Sequence, residues 1–190
     1  TKNDVLTSIK NFKAINPNGE VILIGHSQGG DNIIELLKEN KDVSVDLIAI
    51  FDTQEAKTYV DIKDIPIIMG IDDNNVYGNV RNAINFYQTT EAIGGETLDF
   101  KSNKTKGYNV KSPGSNHRSI DNDVAPYLYK TLNLYLNLAK DDGFSLDYLL
   151  KTLKKEIEDH EKFDPTKSGS DNVLDANSNK GSKTGKSRSE

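Results

Sequence analysis

Short apolar runs alternate with helical stripes along this chain, and that alternation predicts its architecture. Residues 21–24 are all apolar and lead through a glycine-rich turn into a segment with helical apolar spacing, about 31–37. Residues 45–51 are apolar apart from one aspartate, which is typical of a parallel strand buried on both faces. Residues 80–87 partly alternate between apolar and polar positions, so we predict the next strand of the sheet there. The pattern therefore predicts an α/β fold, with a mostly parallel sheet flanked by helices.

Helical spacing also predicts three helices outside this strand region. The first covers about residues 2–13, and the other two cover 124–140 and 144–163. Pro126 is expected to mark the start of the second, because proline fits the first turn of a helix, and Ser145 is a candidate cap of the third.

The 190 residues are enough for one domain with a sizeable core, over residues 1–163. Ser, Gly, Lys and Asn dominate afterwards with almost no apolar residues, which predicts a disordered polar tail over 164–190. Residues 53–78 are expected to leave the sheet as a surface excursion that lines the substrate mouth. A short strand is predicted over 65–69, and a final edge strand over 108–110.

The strongest chemical signal is the turn Gly25-His26-Ser27-Gln28-Gly29, which we call the elbow. A strand, a tight Gly-x-Ser-x-Gly turn and a helix together form a nucleophile elbow, which holds a serine hydroxyl out at its apex. Gly25 and Gly29 are expected to be glycines because a side chain at either position would collide with the neighbouring strand and helix. Ser27 should have a strained backbone, and the helix N-terminus behind it suits a developing negative charge.

The elbow resembles that of an α/β-hydrolase of the lipase/esterase kind. A looser similarity, over about residues 9–125, is to hydrolase-like domains at the C-terminal ends of large bacterial RHS-repeat proteins of the polymorphic-toxin kind. In a complete α/β-hydrolase, two or more strands precede the helix before the elbow, and one of their loops supplies a second oxyanion N–H. The resemblance therefore implies an N-terminally incomplete domain with an upstream region, since the chain starts at Thr1. Besides the elbow, the segments that carry the looser similarity are 45–52, 79–88 and 115–117.

Asp52 directly follows the buried strand and is the candidate acid of a catalytic triad. A strand–helix–strand order predicts a right-handed crossover, which places the end of this strand beside the elbow. Catalytic groups of open α/β sheets lie at the carboxyl ends of strands. If residues 65–69 joined the sheet, Asp72 or Asp73 would compete for this role, and an aspartate that only caps a turn is the simpler alternative.

His117 is the candidate base among three histidines. It lies in a Pro/Gly-rich loop after the last predicted strand and before a helix, where the base of the α/β-hydrolases lies. The order Ser27, Asp52, His117 along the chain matches the nucleophile, acid, base order of that superfamily. His26 is expected to pack or hydrogen-bond locally, and His160 lies on a charged helix face. A histidine on a surface loop is the alternative interpretation of His117.

Composition narrows the range of partners. The net charge of −5 and the pI near 5.3 argue against nucleic acid as a primary ligand, and the absence of cysteine excludes thiolate metal sites. Residues 72–75 lack the spacing of an EF-hand loop and are better explained as a solvated turn, so we expect neither metal nor cofactor.

No apolar run approaches the roughly 18 residues that span a bilayer, and the acidic face of 144–163 disfavours anionic lipid. The compartment is left open: cytoplasmic, or exported as part of a larger bacterial protein.

These residues together predict a serine ester hydrolase. His117 would take the proton of the Ser27 hydroxyl as it attacks an ester carbonyl, while Asp52 holds the imidazole. The backbone N–H of Gln28 would bind the oxyanion. Lipid esters and small acyl esters both fit as substrates. Two alternatives stay open: a catalytically degenerate binding module with a hydrolase fold, and a lipid-degrading toxin effector, which rests on the RHS resemblance alone.

Overall fold

The computed structural model describes residues 1–53, 57–62, 65–70, 74–91, 95–138 and 145–159. The tail over 164–190 and the end of the last predicted helix lie outside these residues. Helices and strands alternate through the first part of the chain, as the apolar pattern predicts. The elements are α1 (Lys2–Ile15), β1 (Ile22–His26), α2 (Gln28–Glu39), β2 (Val45–Phe51), β3 (Lys57–Ile62), β4 (Ile65–Gly70), β5 (Asn75–Val76), β6 (Val80–Tyr87), β7 (Asp99–Phe100), β8 (Lys106–Lys111), α3 (Ile120–Leu138) and α4 (Leu146–Asp159).

The main sheet has four strands in the order β1-β2-β6-β8, and every neighbouring pair is parallel. All seven residues of β2 are buried, which accounts for its nearly continuous apolar run. Pairing of β6 with β2 confirms that residues 80–87 form the next strand of the sheet. The edge strand predicted over 108–110 is also confirmed, as part of β8. The fold is therefore of the α/β type, with a parallel sheet flanked by helices.

Helices cover both faces of this sheet, and alternate residues of β2 supply the two cores. Leu47 and Phe51 pack with α3 and α4, whereas Ile48 and Ile50 pack with α1 and α2. This division follows from the two-residue period of a strand, which sends successive side chains to opposite faces.

The short strand predicted over 65–69 exists as β4, but it lies outside the main sheet. It pairs with β3 in an antiparallel hairpin, which agrees with the prediction of an excursion between β2 and β6. A second small pair, β5 with β7, is parallel. The main sheet thus passes directly from β2 to β6.

The prediction that Pro126 starts a helix is wrong, because α3 begins at Ile120 and contains Pro126 in its interior. The preceding residues form the start of the helix themselves. The N–H of Ile120 donates to the carbonyl of Asn116, and the N–H of Asp123 donates to the carbonyl of Ser119. The hydroxyl of Ser119 also donates to the Asp123 carboxylate at 2.7 Å. These bonds satisfy the first turn without proline.

The cap predicted for the last helix is confirmed. Ser145 precedes α4, and its Oγ accepts the N–H of Tyr148 at 3.2 Å. Leucines at helical spacing along α4 are buried against the sheet side of the domain. The start of this helix is therefore fixed by both a cap and a buried stripe.

Candidate active site

Ser27 is the bend between β1 and α2, and its backbone is strained. Its φ of 51° lies in the region that residues other than glycine rarely adopt. The bend is held on both sides: the Ser27 N–H donates to the carbonyl of Phe51 at 2.9 Å, and its carbonyl accepts the N–H of Gly30 at 2.8 Å. A conformation of this kind costs about 1–3 kcal/mol and occurs mostly at functional sites. The backbone strain expected at Ser27 is present.

The glycines of this turn are not equivalent. A Cβ on Gly25 would lie 2.7 Å from the carbonyl carbon and oxygen of Gly29, so the prediction for Gly25 is confirmed. The same prediction for Gly29 is wrong, because no atom lies within 4 Å of a Cβ there. Gly29 faces outward in the first turn of α2. Gly30 faces β2 instead, where a Cβ would lie 2.6 Å from Cγ2 of Ile50.

Asp52 follows β2 and is fully buried, with four hydrogen bonds to its carboxylate. Oδ1 accepts the N–H of Gly95 at 2.7 Å and the N–H of Gln88 at 3.3 Å. Oδ2 accepts Nε2 of Gln88 at 3.1 Å and Nδ1 of His117 at 2.8 Å. A buried carboxylate is costly unless it is hydrogen-bonded, and these donors compensate the cost. Asp52 therefore contacts the imidazole of His117 through Nδ1 and not through Nε2.

His117 is held at the same end of the sheet by its loop. Its N–H donates to Oε2 of Glu91 at 3.1 Å, and the hydroxyl of Thr90 donates to the carbonyl of Ser115 at 2.7 Å. The His117 side chain is 16% exposed, so one part of the ring is reachable from solvent. Glu91, the acid that follows β6, thus binds the loop backbone and leaves the imidazole to Asp52.

His26 connects this loop to the elbow. Its Nε2 lies 2.9 Å from the carbonyl of His117, and the two imidazole rings are 5.2 Å apart. A carbonyl oxygen only accepts, so Nε2 of His26 carries the proton in this bond. His26 does hydrogen-bond and pack as expected, but its partner lies 91 positions along the chain rather than nearby in the sequence. The contact also fixes His117 beside the residue that precedes Ser27.

Sequence reasoning missed Gln88, which joins Asp52 to the turn at Thr90 and Glu91 that binds the loop of His117. The side chain is fully buried, and its Nε2 donates to Asp52. Its Oε1 accepts the N–H and the hydroxyl of Thr90 and the N–H of Glu91, at 2.7, 2.9 and 2.9 Å. The signal was its position directly after β6, at the same sheet edge as Asp52. A single glutamine belongs to no catalytic motif, so the sequence alone gave no reason to select it over the acidic residues.

The remaining candidates fall into two groups. Gln28 is exposed at the first position of α2, where backbone N–H groups have no acceptor within the helix. That position and the helix dipole suit an oxyanion beside Ser27. Asp72, Asp73 and His160 lie outside the described residues. The Nδ1 of His117 is already bound by Asp52, the acid expected from the strand order.

Comparison with protein-family models, with curated proteins and with solved structures gave no match. Within the described residues, no three His, Asp or Glu side chains converge as a metal-binding group would. None of the helices described here combines the length and the apolarity that crossing a bilayer requires. Any assignment of chemistry therefore depends on the geometry of the site itself.

Proposed function

We propose that this chain is a serine ester hydrolase with an α/β-hydrolase-like fold. The observation that carries the proposal is the 2.8 Å hydrogen bond between Asp52 and His117 at the sheet end that also carries the strained Ser27. A buried acid that orients an imidazole is the arrangement that activates a serine hydroxyl. The substrate class is carboxylic esters, of lipids or of small acyl groups.

In the proposed reaction, Oγ of Ser27 attacks the ester carbonyl carbon while Nε2 of His117 takes its proton. The N–H of Gln28 stabilises the oxyanion of the tetrahedral intermediate, an interaction worth about 10²–10³ in rate in enzymes where such a donor was removed. Collapse of the intermediate breaks the ester bond, and His117 returns the proton to the leaving alcohol. Water, deprotonated by the same nitrogen, then releases the acid from Ser27.

A fluorophosphonate probe tests this proposal, because it labels a serine only when a base activates it. We expect stoichiometric labelling that disappears in Ser27→Ala and slows at least about 100-fold in His117→Ala. Ser8→Ala, which changes an exposed serine on α1, is the matched control and should label normally. Labelling that survives Ser27→Ala, or no labelling of the folded chain, would contradict the proposal.

A non-catalytic binding module is the second candidate, and one observation favours it. In the described sheet β1 is an edge strand, so no strand on its outer side supplies a second N–H beside Gln28. An oxyanion site with one donor stabilises less charge. Binding of an ester by the folded chain, without labelling of Ser27, would assign this second function.

A further inference from the structure

His26 ends β1, and one peptide bond joins it to Ser27. Its Nε2 donates to the carbonyl of His117 at 2.9 Å, because a carbonyl oxygen can only accept. The two imidazole rings are 5.2 Å apart and inclined by 36°, a separation that is favourable for aromatic rings. The residue before the proposed nucleophile therefore contacts the proposed base through both a hydrogen bond and its ring.

His117 is held at three points, each from the end of a different strand of the main sheet. Its N–H donates to Oε2 of Glu91, shortly after β6, at 3.1 Å. Its Nδ1 lies 2.8 Å from the carboxylate of Asp52, directly after β2. Its carbonyl accepts the Nε2–H of His26, at the end of β1. Two of these bonds hold the peptide groups on either side of the His117 Cα, and the third holds the ring.

The bond from His26 comes from the strand of the proposed nucleophile. Ser27 continues β1 into the elbow, whereas Asp52 and Glu91 follow β2 and β6. Transfer of a proton from Oγ of Ser27 to His117 needs hydrogen-bond reach, about 2.6–3.2 Å between the two atoms. A misplacement of about 1 Å costs up to about 10²-fold in rate. A loop that is held only from β2 and β6 leaves this distance less well fixed.

We propose that His26 is a positioning residue for the proposed hydrolase, and that its Nε2–H holds His117 at the distance from Ser27 that proton transfer needs. His26 acts through the backbone of His117, where its donor is used, so it is not a catalytic residue. A side chain that only fills space needs a similar size, whereas this role needs a donor at the position of Nε2. The inference rests on the proposed function, to which it adds a residue outside the triad.

Two amide variants of His26 test this requirement. Nε2 of glutamine is as many bonds from Cβ as Nε2 of histidine, so His26→Gln keeps a donor that reaches the carbonyl of His117. His26→Asn has the same amide on a shorter chain and loses that reach. With 4-nitrophenyl acetate, we expect kcat to be at least about ten-fold lower in His26→Asn than in His26→Gln. KM should be similar in both variants, because the donor does not contact the substrate.

Two further variants separate the hydrogen bond from packing and from stability. His26→Phe keeps a ring against His117 but has no donor, so its kcat should be as low as that of His26→Asn. It decides the question if His26→Asn does not fold. Asn79→Leu removes a side-chain donor to the carbonyls of Leu37 and Val43, both at 3.0 Å, at the amino end of the sheet. It should lower the free energy of unfolding and leave kcat of the folded protein unchanged.

The inference would be overturned if His26→Asn or His26→Phe had the same kcat as His26→Gln. An equal loss of kcat in Asn79→Leu would also overturn it, because the effect would then follow from general destabilisation.

A measurement without substrate separates this inference from the proposed function. NMR follows the exchange with water of the proton on Nδ1 of His117, which is hydrogen-bonded to Asp52. A loosened loop opens this bond more often, so exchange should be at least about ten-fold faster in His26→Asn than in His26→Gln. That difference, in a chain that does not hydrolyse the ester, would contradict only the hydrolase. Hydrolysis with the same kcat in both variants, and with equal exchange, would contradict only the positioning role.

Discussion

Ser27 and Asp52 share an unusual backbone, and each comes directly after one of two adjacent parallel strands. Their φ values are 51° and 50°, and they are the non-glycine residues with positive φ in the described part of the chain. The last paired residues of these strands, His26 and Phe51, lie opposite each other in the register. Two successive strand ends are thus bent in the same way. The motif predicts the first bend, but aspartate follows many strands, so the second has no sequence signal.

Gly25 and Gly29 provide a matched pair of substitutions at this scale. Gly25→Ala forces a Cβ against the backbone of α2, so we expect a loss of about 1–3 kcal/mol in the free energy of unfolding and slower labelling of Ser27. Gly29→Ala meets no atom and sits in a helix, where alanine is favoured by up to about 1 kcal/mol. Urea unfolding of both variants measures the difference. Equal destabilisation by the two would contradict the geometry of the turn.

Gln88 hydrogen-bonds both Asp52 and the turn at Thr90, so we expect it to position Asp52 and the loop of His117 for the proposed reaction. Gln88→Met keeps the size of the side chain but removes the donor to the acid and the acceptor of the Thr90 turn. Misplacement of a catalytic group by about 1 Å costs up to about 10²-fold, so probe labelling of Ser27 should slow by roughly that factor.

The control for Gln88→Met is Thr105→Val, which removes two hydrogen bonds of another buried side chain, to the carbonyls of Tyr77 and Val80 before and at the start of β6. It should lower the free energy of unfolding without slowing the labelling of the folded protein. If Thr105→Val slows labelling as much as Gln88→Met, the effect is general destabilisation and the positioning role is wrong.

At the scale of elements, apolar runs identified β1 and β2, and partial alternation identified β6; all three are strands of the main sheet, although only β2 is buried along its whole length. The two-residue strands β5 and β7 have no such run and could not be found from periodicity. Strand propensity revealed β4 but not its partner, since pairing depends on the backbone that lies beside it. The predicted start of α3 was wrong for a related reason. The side chain of Asn116 accepts the N–H groups of Arg118 and Ser119 before the helix, and this turn depends on the backbone rather than on the proline.

The contact between β8 and α4 gives a prediction about pH. Tyr108 on β8 donates its hydroxyl to Asp147 on α4 at 2.7 Å. Burial, with the hydrogen bond and charge of Asp147, raises the pKa of Tyr108 from 10.0 to about 12. The unfolded chain therefore loses this proton first, and the stabilisation present below pH 10 should decline as pH rises toward about 12.

Urea unfolding of Tyr108→Phe at several pH values measures this effect. The variant should lose about 1 kcal/mol below pH 10, where the hydrogen bond is intact in the natural chain. Between pH 10 and 12 its free energy of unfolding should fall less than that of the natural chain. Burial and Glu20 also raise the pKa of Tyr135 to about 12, so the free energy of unfolding of the variant should still decline in part over this pH range. If the free energies of unfolding of Tyr108→Phe and of the natural chain fell equally between pH 10 and 12, the raised pKa of Tyr108 would be contradicted.

At the scale of the whole molecule, the hydrogen bonds that join α1 to the sheet lie at the amino end of its strands, whereas the proposed active site lies at their carboxyl end. Asp46 is the one charged residue in the apolar run of β2, and it joins α1 to the sheet. Its Oδ2 accepts the N–H of Val21 at 2.8 Å and lies 3.2 Å from Nζ of Lys13, while Oδ1 lies 3.3 Å from Nη1 of Arg81. The elbow and Asp52 lie at the other end of the sheet. Stability and the proposed chemistry should therefore respond to different substitutions.

Asp46→Ala tests this separation. It leaves the Val21 N–H without its acceptor in a buried position, so we expect a loss of about 1–3 kcal/mol in the free energy of unfolding. The rate of Ser27 labelling in the folded protein should not change. Asp42→Ala, which removes an exposed carboxylate nearby, should alter stability by less than about 0.5 kcal/mol. A large effect of Asp46→Ala on the labelling rate would contradict the separation, because it would show that the two ends of the sheet are coupled.

The hydrogen bond between Asp52 and His117 spans 65 positions of the chain. The loop-closing entropy of a contact between such distant residues must be paid before the contact can stabilise the fold, and pairing of parallel strands is slow. During synthesis the serine emerges long before the imidazole. We therefore expect a nascent or prematurely released chain to show no reaction of Ser27 with the probe. Reactivity of Ser27 should appear in one late step, when most of the domain has already been made.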